Sequence, residues 1–273
     1  MSAAPAAVLK EATAYGKLAF DQFVLVHLDY SRPSAEDQTQ WNELARKWLQ
    51  MDHTARSPYW MAVLPLESVE GSDPRMPTQE QIDRVLAPHQ TIAERNIATD
   101  SEPCIYMRTC YEPSLASVFE EMTRDIRNDA YRSYRLFDNQ ALYGSVGPDL
   151  EGVYLRMPQL PDTMVYSGYP ETEDLPLDVD PPEDENKLRL YEAAMKARSI
   201  VYLMDEEALK QKMLKLIWTD LGGNILWWNW LRPSDTRDFE GQYYGLGHGL
   251  HWLLEVGDGN SLYDNEGTII EYQ

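Results

Sequence analysis

The segment Asn224–Leu231, NILWWNWL, decides how the chain is read. It is apolar apart from two asparagines, with Gly222 and Gly223 ahead of it and Pro233 behind. A short run rich in isoleucine and tryptophan and bracketed by turn formers predicts a β-strand. Side chains alternate along a strand, so Trp228 and Trp230 share one face and Trp227 and Asn229 the other. One face belongs to a core, and the other calls for cover by a helix or a partner subunit.

Downstream, His251–Val256 and Thr268–Tyr272 read as further short strands, with hairpin signals at Asp258-Gly259 and Glu266-Gly267. Upstream, Leu190, Ala194, Ala197, Val201, Met204 and Ala208 recur at spacings of three and four, which predicts a helix with one buried face. Asp205, Glu206 and Glu207 place acidic residues at the start of a second helix, which is expected to end at Gly222 and Gly223.

The N-terminal part reads as strand-helix-strand units. Pro5–Leu18 suggests a short helix and Phe23–Asp29 a strand, through the alternation of Val24, Val26 and Leu28. Ser34 then opens a helix over Ala35–Met51 carrying Trp41, Leu44, Ala45, Trp48 and Leu49, and Tyr59–Leu66 reads as the next strand. Thr78 caps a helix running to Leu86, and a second piece after Pro88 ends near Ile97. Cys104–Tyr111 is a strand, and Ser114 opens a helix striped by Val118, Met122, Ile126 and Ala130. Gly152–Met157 is the next expected strand. The pattern predicts an α+β (mixed α/β) fold with a helical pair and short antiparallel strands towards the C-terminus. Residues 1–169 are expected to form an α/β body and 170–186 an acidic loop. Residues 187–273 are expected to pack on that body. Pro170–Asn186 holds eight acidic residues, four prolines and no basic residue.

At 273 residues and 43% hydrophobic content the chain can bury a sizeable core. Its formal charge of −21 argues against direct nonspecific nucleic acid binding and is compatible with basic partners, with simple solubility or with a salt-rich habitat. No apolar run approaches a membrane span, and Met1–Gly16 lacks the basic start of a secretory signal. Cys104 and Cys110 read as free thiols of a reducing, cytoplasmic compartment.

Three groups of residues carry chemistry worth testing. His248, His251 and Glu255 offer two imidazoles and a carboxylate for a metal, although Gly245, Gly247 and Gly249 oppose the helix that would align them. Trp227, Trp228, Trp230, Tyr243, Tyr244 and Trp252 offer flat faces for a protein partner or a sugar. Arg124, Arg127, Arg132 and Arg135 are a local reversal of charge suited to anions, or to the acidic loop of a second copy. No phosphate loop, dinucleotide fingerprint or nucleophile elbow is present, and no cofactor is expected. The sequence therefore favours a non-catalytic interaction or structural protein working in a homo- or hetero-oligomeric assembly. The alternative is a hydrolase using paired carboxylates, or a His-based metal site, in an aromatic-lined pocket.

Overall fold

The computed structural model describes residues 15–63, 76–97, 104–129, 134–161 and 196–241. In chain order these form α1 (Ala19–His27), α2 (Asp37–Leu49), α3 (His53–Met61), α4 (Gln79–Gln81, continued by a π-helical turn over Ile82–Leu86) and α5 (Ile92–Asn96). There follow β1 (Cys104–Arg108), α6 (Ala116–Asp129), β2 (Tyr134–Phe137), α7 (Gln140–Tyr143) and α8 (Glu151–Arg156). The last described elements are β3 (Ser199–Met204), α9 (Glu206–Gln211), β4 (Leu214–Thr219), β5 (Ile225–Leu231) and α10 (Thr236–Glu240). The fold class is α+β. The chain divides into two compact units, Met1–Asp100 with Leu150–Thr163, and Ser101–Asp149 with Met164–Gln273.

The first unit is helical among its described residues. Phe20, Phe23 and Val24 of α1 pack with Trp41, Ala45 and Trp48 of α2 in one core. Phe20 meets Trp41 edge-on at 5.1 Å between ring centroids. Asp52 caps α3, its Oδ1 accepting from the Ala55 N–H at 2.8 Å. Reciprocal capping boxes open α4 at Thr78 and α5 at Thr91.

Below these caps runs a buried polar chain. Arg95 pairs with Asp21, both side chains fully buried, and Asp21 also accepts from the Gly16 N–H at 2.8 Å. The Arg95 guanidinium donates to Gln90 Oε1 at 2.9 Å, and Gln90 donates in turn to Gln159 Oε1 at 2.9 Å. Glu94 closes the chain by accepting both forks of Arg156, at 2.7 and 2.8 Å. A buried charge tolerates removal from water only when paired and hydrogen-bonded in this way.

His89 stacks on Trp41 at 4.9 Å and places Nδ1 2.9 Å from Gln38 Oε1, while its buried Nε2 has no hydrogen-bond partner among the described residues. Burial is the main cause that lowers its pKa below 6.5, with nearby Arg156 adding to the effect and Asp37 opposing it. Since the unfolded chain then binds more protons, stability should be fully present above about pH 6.5 and decline as pH falls below it. His27 shifts the same way, through burial and then Lys47. The expected result in urea titrations is a midpoint that drops between pH 7.5 and 5.5, with a shallower drop in His89→Gln. An unchanged slope in that variant would remove His89 from this account.

The second unit holds a five-stranded sheet ordered β2-β1-β3-β4-β5. β1 pairs parallel with both β2 and β3, whereas β3-β4 and β4-β5 are antiparallel. Parallel neighbours need a crossover, and α6 supplies it between β1 and β2. The tight β4-β5 turn is held by Asp220 Oδ1, which accepts from the Gly222 and Asn224 N–H groups at 2.8 Å each. Gly223 there has φ 79°, a conformation that glycine adopts without strain.

Register sorts the side chains of this sheet. Tyr106, Tyr202, Leu216 and Asn229 are partners across β1, β3, β4 and β5 and so share one face. Tyr106 stacks on Tyr202 at 4.5 Å and donates its hydroxyl to the buried Glu240 at 2.6 Å. Phe119, Met122 and Ile126 of α6 and Phe239 of α10 complete that core. On the opposite face lies the row Phe137, Met107, Leu203, Lys215 and Trp230.

Five sequence expectations need correction. Phe23–Asp29 is not a strand: α1 buries Phe20, Phe23 and Val24 and leaves Val26 56% exposed, a helical rather than an alternating pattern. Tyr59 belongs to α3 rather than to a strand. Gly152–Met157 lies largely within the helix α8, where Val153, Tyr154 and Met157 fall on one buried side. The helix expected from Leu190 contains instead the strand β3, whose six residues are all buried. A central strand covered on both faces reads as a continuous apolar run and matches helical spacing by accident. The second helix does begin after the Asp205 cap, but it stops at Gln211 and β4 follows. The predicted helix Pro5–Leu18 and the strands His251–Val256 and Thr268–Tyr272 lie wholly or mostly outside the described residues.

Candidate functional site

The strands β1, β2 and β3 run parallel, so their carboxyl ends lie along one edge of the sheet. From β1 the chain crosses to β2 on one side, while β3 lies on the other side of β1. In open sheets such a reversal leaves a crevice at the carboxyl ends of the two strands that flank it. A cleft of about 660 Å³ lies there. One wall is Val146, Gly147 and Pro148, and its floor includes Thr109 and Leu203. The other wall is the start of α9 with Asp205, Glu206, Glu207 and Lys210.

Each acidic group of that wall is engaged. Asp205 caps α9 through Oδ1, which accepts from the Ala208 N–H at 2.8 Å, and its Oδ2 is 3.6 Å from Lys215 Nζ. Glu206 pairs with Lys210 one turn later, and Glu207 Oε2 is 3.3 Å from Lys215 Nζ. Lys215 sits opposite Trp230 across β4 and β5. Its ammonium lies 4.5 Å from the Trp228 ring centroid and 5.4 Å from that of Trp230. Those two rings are 5.4 Å apart and nearly perpendicular, at 83°. Asp205 and Glu207 thus line the cleft and also face Lys215, whose ammonium rests on the half-buried Trp228-Trp230 pair.

Arg108 at the end of β1 lies over the rings of Phe119 and Tyr111, at 3.9 and 4.6 Å, and donates from Nε to the Cys110 carbonyl. Burial first, and then the charge of Asp138, pushes the Tyr111 phenol up to about 12. Tyr111 thus stays protonated near neutrality and donates to the Arg108 carbonyl at 3.0 Å. These contacts stiffen the end of β1.

The predicted site residues that are described fall on three elements, α6, β2 and β5. Trp228 and Trp230 do share the outer face of β5, as alternation requires, and Trp227 is buried against Trp218 at 4.6 Å. Arg124 and Arg127 are exposed on α6, beside a depression of about 330 Å³ that also includes Phe119, Glu120 and Thr123. Arg135 is exposed on β2 and does not line that depression. Arg132, Tyr243, Tyr244, His248, His251, Trp252 and Glu255 lie outside the described residues. His27 closes α1, and Asp29 follows just beyond it. The His27 ring nitrogen meets Tyr59 at 2.7 Å, and Asp29 accepts from Ser31.

Sequence reasoning missed Lys215 and gave Asp205 and Glu207 only the role of a helix start. Its signal was the alternation of Lys215 with Leu214 and Leu216, which becomes legible once β4 is known to be a strand. Neither cysteine forms a disulfide, and both are buried. Among the described residues no group of three His, Cys, Asp or Glu is placed to hold a metal, and no helix is long and apolar enough to cross a membrane. Comparison with protein families, with curated proteins and with solved structures finds no match to this chain.

Proposed function

We propose that the protein is a non-catalytic, cytoplasmic interaction protein that receives a basic segment of a protein partner along the carboxyl edge of its sheet. The observation that supports this reading is that Asp205 and Glu207 of the cleft wall face Lys215, whose ammonium rests on the Trp228-Trp230 pair. Half-exposed tryptophans are efficient anchors, because they bury a large area at little entropic cost. A formal charge of −21 attracts cationic partners over distance and speeds their encounter. The partner is expected to lie on the face rather than to extend the sheet, because the Trp230 N–H is already taken by Asn229 Oδ1 at 2.8 Å. A hydrolase using this cleft would need a carboxylate free to move a proton. Asp205, Glu206 and Glu207 each face a lysine ammonium, so cation recognition is the better fit.

Fluorescein-labelled octalysine, followed by anisotropy at moderate salt, tests the proposal. The Glu206→Gln/Glu207→Gln pair and the Trp228→Ala/Trp230→Ala pair should each weaken binding by about tenfold or more. Glu36→Gln/Glu80→Gln removes the same charge from exposed positions of the other unit and should leave binding nearly unchanged. Equal losses in both glutamate pairs would show that net charge alone binds the peptide, and the proposed site would be abandoned.

A further inference from the structure

We infer that the Trp228-Trp230 pair is a binding site for a primary alkylammonium, that Lys215 is its resident occupant, and that a lysine side chain of the partner exchanges with it. This rests on the proposed docking of a basic segment and names the chemistry of one contact.

Two perpendicular indoles present two electron-rich faces to one point, and the Lys215 ammonium lies within 6 Å of both ring centroids. Carboxylates finish the site. Glu207 Oε2 and Asp205 Oδ2 lie 3.3 and 3.6 Å from the same nitrogen, where each can accept an N–H bond or, across the longer gap, attract the charge. That combination selects for an ammonium that still carries hydrogens, since a trimethylated one keeps the ring attraction and loses both acceptors.

Lys215 is held there by strand register and by its neighbours, with 18% of its side chain left exposed. Its backbone is fixed opposite Trp230, while its flexible four-carbon stem ends beside the open cleft. The side chain can therefore swing away without breaking a ladder hydrogen bond. Exchanging one ammonium for another is nearly neutral in itself, so a partner gains only through further contacts. The neighbouring cleft, with Glu206 and Glu207 in its wall, supplies them at high effective concentration once the first lysine has docked.

The probe is Nα-acetyl-lysine methylamide, titrated while the indole N–H signals are followed by proton-nitrogen NMR. In Lys215→Ala the Trp228 and Trp230 signals should shift saturably, with binding about tenfold tighter than in the unaltered chain. The trimethylated probe should bind more weakly, and adding Trp228→Ala should abolish the effect. Lys215→Thr, a residue that favours strands, gives the same readout should the alanine loosen β4. Lys17→Ala matches the charge change at an exposed position of the other unit and should behave as the unaltered chain does. The inference is overturned if Lys215→Ala and Lys215→Thr bind no tighter, if Lys17→Ala tightens binding equally, or if other indoles carry the shifts. Octalysine binding that persists alongside such a failure refutes only the exchange. Octalysine failing while the probe binds the Trp228-Trp230 pair refutes only the cleft reading.

Discussion

Replacing Arg95 with methionine is expected to destabilise the protein by about 3–5 kcal/mol, among the largest single-residue effects in the chain. Arg95 is fully buried and pairs with a fully buried Asp21, so its loss strands a carboxylate where water cannot reach it. It also lies 4.3 Å from the Tyr15 ring centroid and donates to Gln90, so a stacking contact and one link of the polar chain go with it. Asp21→Asn/Arg95→Met should be less damaged than Arg95→Met alone, because no buried charge is then left behind. Urea midpoints of the three proteins decide the matter. A single variant within about 1 kcal/mol of the unaltered chain would show that the pair is not the keystone of its unit.

Trp218→Ala is expected to cost about 3–5 kcal/mol in the other unit. The indole is fully buried, 4.6 Å from Trp227 and edge-on to Phe239 at 6.2 Å, so truncation opens a cavity that rigid neighbours on β5 and α10 cannot fill. The buried indole N–H has no acceptor among the described residues, so nothing polar is lost on substitution. Trp218→Phe should accordingly cost much less, about 1–2 kcal/mol, from volume alone. Chemical denaturation monitored by near-ultraviolet circular dichroism measures both. Equal losses in the two variants would mean that the indole nitrogen matters after all.

The parts of the fold that were legible in the sequence are those specified locally. The helix carrying Trp41, Ala45 and Trp48, the cap residues Thr78 and Asp205, and the alternation along β5 all depend on neighbours a few positions away. The elements misread are those settled by distant packing. SIVYLM becomes β3 because β1 and β4 flank it, and α1 is helical because α2 and α3 receive one of its faces. The candidate site suffered for the same reason. Trp228 and Trp230 were identified from alternation, but the cleft and the place of Lys215 depend on which strands become neighbours, and a single sequence does not state that pairing. Arg124 and Arg127 were close in sequence and stay close on α6, whereas Arg135, grouped with them by nearness in sequence, lies on β2.

The first unit is assembled from two separated stretches of chain, and this has a consequence for synthesis. Trp41 gives its indole N–H to the Leu155 carbonyl, and Glu94 takes its guanidinium from Arg156. A nascent chain emerging from the ribosome therefore holds Trp41 and Glu94 early and must wait some sixty further residues after Glu94 for their partners. The intervening stretch contains β1, α6 and β2, so the first unit matures only after part of the second has already emerged. No single proteolytic cut can release either unit intact, and an engineer wishing to express the first alone would have to join residue 100 to residue 150 directly.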